Sequence, residues 1–600
     1  MGACSRFPAE RRAARSPRWI ALLLLLLSLL PASAGASPAD EHPFVTRPIW
    51  IYDNWSAYDE LSDAVPLTED LAMRELAEIV RLRKLGVEFD YYLMDAFWYA
   101  PDGGYRDWRK ESWPEGPDRW IEACLANGIK PGLWFGTNSL LQMNAASRWH
   151  DSLITNGGAM ALYGGGFLPD FMDTLQGWYD RGVRLFKLDF ANFDAAVAGD
   201  ERHLAPAEIR RRNENALYDA LAAFRRRNPD VVLVAFNGFG GDLGSTDAPL
   251  PFREPVDLAW LKVFDSLYSG DPRPSDLPQM NFWRSVDLYS DHMVDRFHAS
   301  GVPLPRLDSI AVMIGNTGTN YRRKLHAWQG SMLLMMARGG WVNTVHGELE
   351  RLDSDQARWL ARAQALYQEL KQNGRTRSFG GVPGEGAPYG YVTGNADGAV
   401  YTVVNPAESI SLVPLGRGAT EGRILFRDAG YEPVLEGGAI RLGPEQLALV
   451  GTGRYADPAY DLGVQTDVVI PRRIAPLGIN FSFDETTGAL AAMVMPPVSG
   501  DLRVILQQRD LEGMALRTSG GAPPDGVRMG HILTIKAAQG GKPLPVEVRY
   551  DRMIWSGLSW AAGEIRHGAM EPGEPIEIRL SSTETDPSAR LAGQIFVIEY

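Results

Sequence analysis

The chain has 600 residues, of which 45% are hydrophobic and 10% aromatic, so it is long enough for several domains and too apolar to be disordered by default. Its formal net charge of −14 argues against nucleic acid or an anionic membrane as a partner, and it is compatible with a neutral substrate. With only two cysteines, Cys4 and Cys124, the chain cannot be a disulfide-stapled module.

The N-terminus reads as an export signal. Five arginines precede the apolar run "WIALLLLLLSLLPASAGA" at 19–36. This order of basic, apolar and small residues predicts a cleaved signal peptide over residues 1–36, and therefore a secreted or periplasmic protein. The run is short for a bilayer span, so no membrane is expected as a partner after cleavage. Cleavage would remove Cys4 and leave Cys124 with no internal disulfide partner.

From residue 44 to about residue 373, short apolar strands alternate with amphipathic helices. Eight strands are predicted, at 48–52, 89–94, 130–135, 184–190, 231–236, 263–268, 309–314 and 341–345. Helices are predicted at 66–85, 118–127, 170–181, 207–228, 279–299, 322–338 and 353–373. This alternation predicts a (β/α)8 TIM barrel, an α/β fold, over residues 37–373. A doubly wound open sheet is the alternative, but "IYDNWSAY" after the first strand is no glycine-rich phosphate turn.

The helical period stops after residue 373. Strand–turn–strand patterns such as "GYVTGNADGAVYTVVNP" predict a C-terminal all-β sandwich over residues 374–455. A linker is predicted at 455–463, followed by an accessory all-β domain at 464–600. That domain is expected to be separable from catalysis.

Polar and aromatic residues collect where the predicted barrel strands end. In a barrel the carboxyl ends of the strands build the active site. Carboxylates, amides and tryptophans together suit a sugar, because aromatic faces pack on its C–H surface and polar groups fix its hydroxyls. The candidate residues are Trp55, Asp95, Trp98, Trp134, Lys187, Asp189, Asn237 and Asp271.

Two carboxylates on opposite sides of such a pocket suffice to cleave a glycosidic bond. Asp189, at the end of a central strand, suits the nucleophile. Asp271, in a turn bounded by glycine and proline, suits the acid/base, and Asp276 is its rival.

Four motifs in chain order, "YYLMDAFW", "GIKPGLWF", "FKLDF" and "YSGD", resemble those of the melibiase-type α-galactosidases of glycoside hydrolase families 27 and 36 (clan D). The resemblance covers roughly residues 44–460, because those enzymes also carry a β-sandwich after the barrel. It implies a retaining α-glycosidase with Asp189 as nucleophile and Asp271 as acid/base. It further implies that Lys187 contacts sugar hydroxyls, that Asp95 and Trp98 line the glycone pocket, and that Trp134 forms a wall.

The sequence departs from that family at the end of the second strand. The family usually has two adjacent acids there, which help to read an axial hydroxyl of galactose, whereas this chain has Asp95–Ala96. We therefore expect weak discrimination between galactose and its epimers, unless Asp53 or Asn54 replaces the second acid. The fifth strand also ends in "FNGFGGD" instead of the family's cysteine-containing turn.

The predicted function is that of a secreted retaining α-glycosidase, most similar to an α-galactosidase, that removes terminal α-linked sugars from oligo- or polysaccharides. The alternatives are a related enzyme with another glycone (α-N-acetylgalactosaminidase, β-L-arabinopyranosidase or isomalto-type α-glucosidase) and an inactive carbohydrate-binding protein that uses Trp555 and Trp560. No cofactor is expected. No metal site is expected either, because His292, His298, His326 and His346 lack metal-ligand spacing and are predicted to be surface or packing residues.

Overall fold

A computed structural model describes residues 45–55, 57, 66–139, 149, 159–239, 256–270, 272–310, 312–315, 325–516, 533–549, 559–582 and 590–600. The predicted signal peptide lies outside these residues, as do Asp271 and Trp555. Among the described residues, the first part of the chain forms nine parallel strands: β1 Ile49–Asp53, β2 Tyr91–Met94, β3 Lys130–Phe135, β4 Leu185–Leu188, β5 Val232–Ala235, β6 Ser266–Tyr268, β7 Leu307–Asp308, β8 Met313–Ile314 and β9 Val342–Gly347.

These strands form one curled sheet in the order β7-β6-β5-β4-β3-β2-β1-β9-β8. Nearly every strand residue is buried, as expected when helices cover a parallel sheet on its outer face and side chains fill its interior. The sheet confirms the predicted TIM-like barrel.

The predicted seventh strand, 309–314, is the one that differs. The structure has two short strands in its place, β7 paired with β6 and β8 paired with β9. Among the described residues no ladder joins β7 to β8. The seventh strand of the barrel is therefore interrupted between Asp308 and Met313, and we call this interruption the seam.

In the part of the barrel that the structure describes, seven helices alternate with the strands. Their first and last turns follow local sequence: Thr68 caps the first helix by accepting a hydrogen bond from the backbone N–H of Leu71, and Asp353 and Gln356 form a capping box at the start of the last. The helices are α1 Glu69–Lys84, α2 Asp118–Ala126, α3 Phe167–Asp180, α4 Pro206–Arg227, α5 Phe282–Ala299, α6 Trp328–Ala337 and α7 Ser354–Asn373. No helix in the described ranges is long and apolar enough to cross a membrane.

The sandwich unit follows α7 directly. Its strands form a six-stranded sheet, β10-β11-β12-β17-β14-β18, and a three-stranded sheet, β13-β16-β15. They are β10 Arg375–Gly380, β11 Tyr389–Asn395, β12 Gly398–Val404, β13 Ser411–Pro414, β14 Arg423–Ala429, β15 Val434–Glu436, β16 Ala439–Leu442, β17 Leu447–Gly451 and β18 Gly463–Val469.

The end of the sandwich unit lies later than predicted. β18 pairs in parallel with β14, so the chain up to Val469 belongs to this unit. The segment predicted as a linker contains two 3-10 turns, and Tyr455 in the first of them is buried. Unlike those of a linker, the tyrosine and leucine side chains of this segment are buried or pack against the core.

The last unit contains two five-stranded antiparallel sheets, β19-β28-β22-β26-β25 and β20-β21-β27-β23-β24. Its strands are β19 Arg473–Leu477, β20 Ser482–Asp484, β21 Ala489–Val494, β22 Asp501–Arg509, β23 Leu533–Gln539, β24 Lys542–Leu544, β25 Glu547–Arg549, β26 Trp560–Ile565, β27 Ile576–Ser582 and β28 Arg590–Glu599.

The last unit packs directly on the barrel. Trp560 at the start of β26 is buried in one apolar cluster with Phe282 and Trp283 of α5. Its indole Nε1–H donates to the backbone oxygen of Ser275, 2.8 Å away, in the segment that follows β6. The last unit thus shares a core with the barrel, and its separability from catalysis stays a prediction.

Candidate active site

The carboxyl ends of the barrel strands bring the candidate residues to one rim. β1 ends at Asp53, β2 is followed by Asp95, and Lys187 and Asp189 lie at the end of β4. Neighbouring parallel strands in a closed barrel present these ends on the same face. Side chains far apart in sequence are therefore neighbours here.

Lys187 is the centre of a buried charge cluster. Its Nζ donates to Oδ2 of Asp95 at 2.7 Å and to Oδ2 of Asp53 at 3.1 Å. The ammonium also lies 4.0 Å from the ring centroid of Phe236 and 5.6 Å from that of Trp55. Burial alone would lower the pKa of Lys187, but the two carboxylates raise it above its usual value, so the lysine is held charged.

The two acids that bind Lys187 have pKa values shifted in opposite directions. Burial acts to raise the pKa of Asp53, but Lys187, His346 and the backbone N–H of Trp55 outweigh it and hold that pKa below its usual value. Burial and the neighbouring charge of Asp53 raise the pKa of Asp95 well above its usual value. One ammonium cannot compensate both carboxylates fully, so Asp53 keeps the charge more firmly.

Asp189 is oriented by three hydrogen-bond donors. Its Oδ2 accepts from the indole Nε1–H of Trp134 at 3.0 Å. Its Oδ1 accepts from the backbone N–H groups of Phe190 at 2.8 Å and Asn237 at 3.0 Å. Burial raises the pKa of Asp189, while Lys187 and these donors oppose the rise. The carboxylate is thus fixed in direction, and Oδ2 keeps acceptor capacity beyond its single bond.

Trp134 and Trp98 have different surroundings. Trp134 is only 1% exposed and reaches Asp189 through its N–H, so it positions the carboxylate more than it offers a face to solvent. Trp98, predicted to line the glycone pocket, lies in the packed core with its ring 4.8 Å from that of Trp108. Phe97, the residue before Trp98, has a positive φ of 71°.

Asn237, Trp55 and Asn54 also contact residues of the rim. Asn237 bonds Asp189 through its backbone, and its side-chain oxygen is buried with no partner among the described residues. Trp55 lies edge-on to His346, with ring centroids 6.1 Å apart. Asn54 accepts from the backbone N–H of Asp95 at 2.8 Å, so its oxygen supports the strand end.

Two residues of the rim were not singled out in the sequence as site residues. His346, at the end of β9, is fully buried, and its Nε2 lies 3.3 Å from Oδ2 of Asp53. Asp308 ends β7 and accepts from Thr344 Oγ1 at 3.1 Å, while its Oδ1 is buried with no partner in the part of the chain that the structure describes. Burial raises the pKa of Asp308 to about 7. A strand predicted to end at residue 308 would have placed Asp308 at the rim.

The segment after β6 is held from outside the barrel. Asp271 lies outside the described residues. Its rival Asp276 accepts from Ser559 Oγ of the last unit at 2.7 Å. The backbone N–H of Met280 donates to Glu445 of the sandwich unit at 2.9 Å. Both downstream units therefore contact this segment.

Within the described ranges, no group of three or more histidine, cysteine, aspartate or glutamate side chains is arranged to hold a metal ion. The chemistry that the rim offers is that of carboxylates, an ammonium and aromatic rings.

No protein-family model matches the sequence, and no curated protein matches it either. Solved structures do match. An α-galactosidase from Lactobacillus brevis aligns over 69% of this chain and 56% of its own, with 13% identity and a TM-score of 0.50. A family 36 α-galactosidase from Geobacillus stearothermophilus, solved with raffinose, aligns over 68% and 56%, with 13% identity and a TM-score of 0.46.

A family 27 β-L-arabinopyranosidase from Geobacillus stearothermophilus, solved with arabinose, aligns over 69% of this chain and 98% of its own, with 16% identity and a TM-score of 0.43. The chain thus spans little more than half the length of the two α-galactosidases. At these identities the likeness is one of fold. About two thirds of the chain thus shares the fold of the α-galactosidase from Lactobacillus brevis, in agreement with the fold that the four motifs predicted.

Proposed function

We propose that this protein is a retaining α-glycosidase, most similar to an α-galactosidase, with Asp189 as its nucleophile. The observation that carries the proposal is the carboxylate of Asp189, which three donors fix at the end of β4 beside the buried ammonium of Lys187. A nucleophile must be held in one direction to attack, and rigid strand ends do this better than loops.

The proposed reaction has two displacements. Asp189 attacks the anomeric carbon while the bond to the leaving oxygen breaks, and Asp271 gives that oxygen a proton. Asp271 then takes a proton from water, which attacks the same carbon and frees Asp189. The two carboxyl groups are expected to be about 5–5.5 Å apart in the closed site.

Lys187 and Asp95 are proposed to bind the hydroxyls of the glycone. Lys187 uses two of its three N–H donors on Asp53 and Asp95, which leaves one for a hydroxyl. Asp53 already accepts from Lys187 and from the backbone N–H of Trp55, and it is fully buried, so its role is to hold the lysine.

Ala96 then leaves the axial hydroxyl without a second acid. We expect a weak preference for α-galactosides over α-glucosides, because an epimer is rejected strongly only when a buried polar group loses its partner. The measurement is kcat/KM on matched α-galactoside and α-glucoside substrates for wild type and Ala96→Asp. A strong galactose preference that the substitution does not alter would show that position 96 does not read the sugar.

The nucleophile is tested with a panel of p-nitrophenyl α- and β-glycosides. Asp189→Ala is expected to lose turnover and keep its fold, while Asp173→Ala, an exposed aspartate of α3, keeps wild-type rates. Added azide should restore glycosyl transfer in Asp189→Ala and give the β-glycosyl azide, because the anion takes the place of the missing carboxylate. NMR of the first product from wild type should show the α anomer.

Two results would contradict the proposal. Release of the β anomer first would exclude retention, and wild-type turnover in folded Asp189→Ala would exclude the nucleophile. Saccharide binding with no turnover on the whole panel would favour the inactive carbohydrate-binding protein instead.

Export is part of the proposal as well. Residues 1–36 carry the basic, apolar and small-residue order of a signal peptide. N-terminal sequencing of the protein from its native host should find a mature chain that starts near residue 37, and a mature chain that keeps the apolar run would contradict export by cleavage.

A further inference from the structure

Phe190, the residue after the proposed nucleophile, has an unusual combination of backbone and side chain. Its φ is 49°, in the left-handed region that a bulky residue rarely adopts. Its side chain is among the exposed large apolar groups of the protein, with 40% of the residue accessible, whereas Asp189 next to it is 5% exposed. The chain therefore passes from a buried carboxylate to an exposed ring within one residue.

The backbone conformation has a clear use. It turns the N–H of Phe190 toward Oδ1 of Asp189, at 2.8 Å, and the carbonyl of Phe190 accepts from Ser139 Oγ at 2.6 Å. Both bonds involve only backbone atoms of Phe190. Glycine would serve them with no steric cost, since it adopts positive φ freely.

The phenyl ring is thus explained neither by the backbone nor by core packing. Strain of this kind persists where the surrounding structure imposes it, and such positions concentrate at functional sites. The ring of Phe190 lies edge-on to that of Trp134, with centroids 6.2 Å apart, and Trp134 bonds Asp189. The exposed ring is therefore anchored to the same group that orients the proposed nucleophile.

We propose that Phe190 is the aromatic platform for the sugar that leaves. The inference rests on the proposed function, in which the glycone reaches the buried carboxylate of Asp189. The next sugar unit must then lie toward solvent, where the exposed ring offers its face to the C–H surface of a pyranose. The ligand class is a neutral hexopyranoside in the leaving-group position of an oligosaccharide.

The test compares two substrates that share a glycone. One is the glycosyl fluoride and the other is the 1,6-linked disaccharide with glucose, both made with the glycone that wild type hydrolyses fastest. Fluoride has no ring to place on the platform. In Phe190→Gly, the ratio of kcat/KM for the disaccharide to kcat/KM for the fluoride should fall about tenfold, the loss of roughly one aromatic contact.

Two further variants distinguish the effect of the aromatic face of Phe190 from the effect of its backbone conformation. Phe190→Tyr keeps the ring and should keep the wild-type ratio, whereas Phe190→Leu keeps bulk without an aromatic face and should lower the ratio as glycine does. The thermal midpoint of Phe190→Gly should not fall, because glycine relaxes the positive φ.

A parallel fall of both kcat/KM values would overturn the proposal and assign Phe190 to orientation of Asp189 alone. A wild-type ratio in Phe190→Leu would overturn it too. Wild type with no turnover on either substrate would instead overturn the proposed function on which the inference rests.

Discussion

At the ends of β1 to β4, the charged side chains of the rim find their partners within the barrel, whereas the segment after β6 depends on the two units that follow. Lys187 binds two carboxylates from neighbouring strands, and Asp189 takes its donors from β3 to β5. Beyond β6, Asp276 and Ser275 bond the last unit instead. The proposed nucleophile is thus oriented by neighbouring strands of the barrel. The segment proposed to carry the acid/base is held instead by packing against the units that follow.

The largest expected effect concerns the rim at the ends of β1 to β4, where the charged side chains find their partners within the barrel. Lys187→Met removes the only ammonium bonded to Asp53 and Asp95 in the described structure and leaves two buried carboxylates uncompensated. We expect a loss of about 3–5 kcal/mol in the free energy of unfolding, with loss of turnover. Denaturant unfolding at pH 7 measures it, with exposed Lys262→Met as the control.

A loss under about 1 kcal/mol in Lys187→Met would mean that the two acids become protonated without strain. In that case Lys187→Met/Asp53→Asn would be no more stable than the single variant. Recovery of stability in the double variant would show that charge, not packing, caused the loss.

The next largest effect concerns the segment after β6, which is bonded to the last unit. Trp560→Ala opens a cavity between that unit and α5 and removes the bond to Ser275, so we expect a loss of roughly 3 kcal/mol. The rate should fall more on glycosides with poor leaving groups than on activated ones, because a displaced acid matters only when the leaving oxygen needs a proton.

The control for Trp560→Ala is Phe483→Ala, which truncates an exposed ring of the same unit. Trp560→Phe, which keeps most of the packing, should restore most of the stability. Equal rate losses on both kinds of leaving group would contradict a specific effect on the acid step.

A smaller effect concerns Asp308, at the end of β7, and the way the stability of the fold depends on pH. Asp308 lacks the ammonium that Asp53 has, and burial raises its pKa to about 7 from the ordinary 3.8. Its neutral form stabilises the fold fully below about pH 3.8, and this contribution is lost as the pH rises through about 7. Asp308→Asn is neutral at every pH, so its stability relative to wild type should rise by about 3 kcal/mol between pH 5 and pH 8.

Unfolding of wild type and Asp308→Asn at several pH values gives this difference directly, because other titrating groups cancel. A constant difference across the range would mean that Asp308 is ionised throughout.

The smallest effect concerns the rival acid. Asp276→Asn and Ser559→Ala each remove or weaken one partly exposed hydrogen bond, so each should cost about 1 kcal/mol and leave kcat within about threefold of wild type. The double variant should cost little more than either single variant. Loss of turnover on poor leaving groups in Asp276→Asn alone would make Asp276 the acid/base.

The sequence predicted the barrel and the centre of the rim because both follow local patterns. Strand and helix periods located all seven helices, and the polar residues at the ends of the second and fourth strands, Asp95, Lys187 and Asp189, come together as parallel strands require. Trp98 packs in the core after a positive φ at Phe97, and no periodicity encodes such a turn.

The rest depended on contacts that no local pattern contains. Asp308 was missed because the seventh strand is two residues long and ends before the apolar run that suggested it. Packing of Trp560 on α5 joins residues almost 280 positions apart, and its bond to Ser275 joins residues 285 positions apart. Only the folded chain shows that the last unit supports the segment after β6.

The seam between β7 and β8 has a consequence for how the barrel opens. Each of these strands is two residues long and has a ladder partner on one side only among the described residues. Local opening starts where few backbone hydrogen bonds must break together. In native-state hydrogen exchange, the amides beside the seam should therefore exchange ahead of those of β2 to β4. Asp308 ends β7 and His346 pairs with Met313 of β8, so we expect water to reach the rim here first when the barrel opens locally.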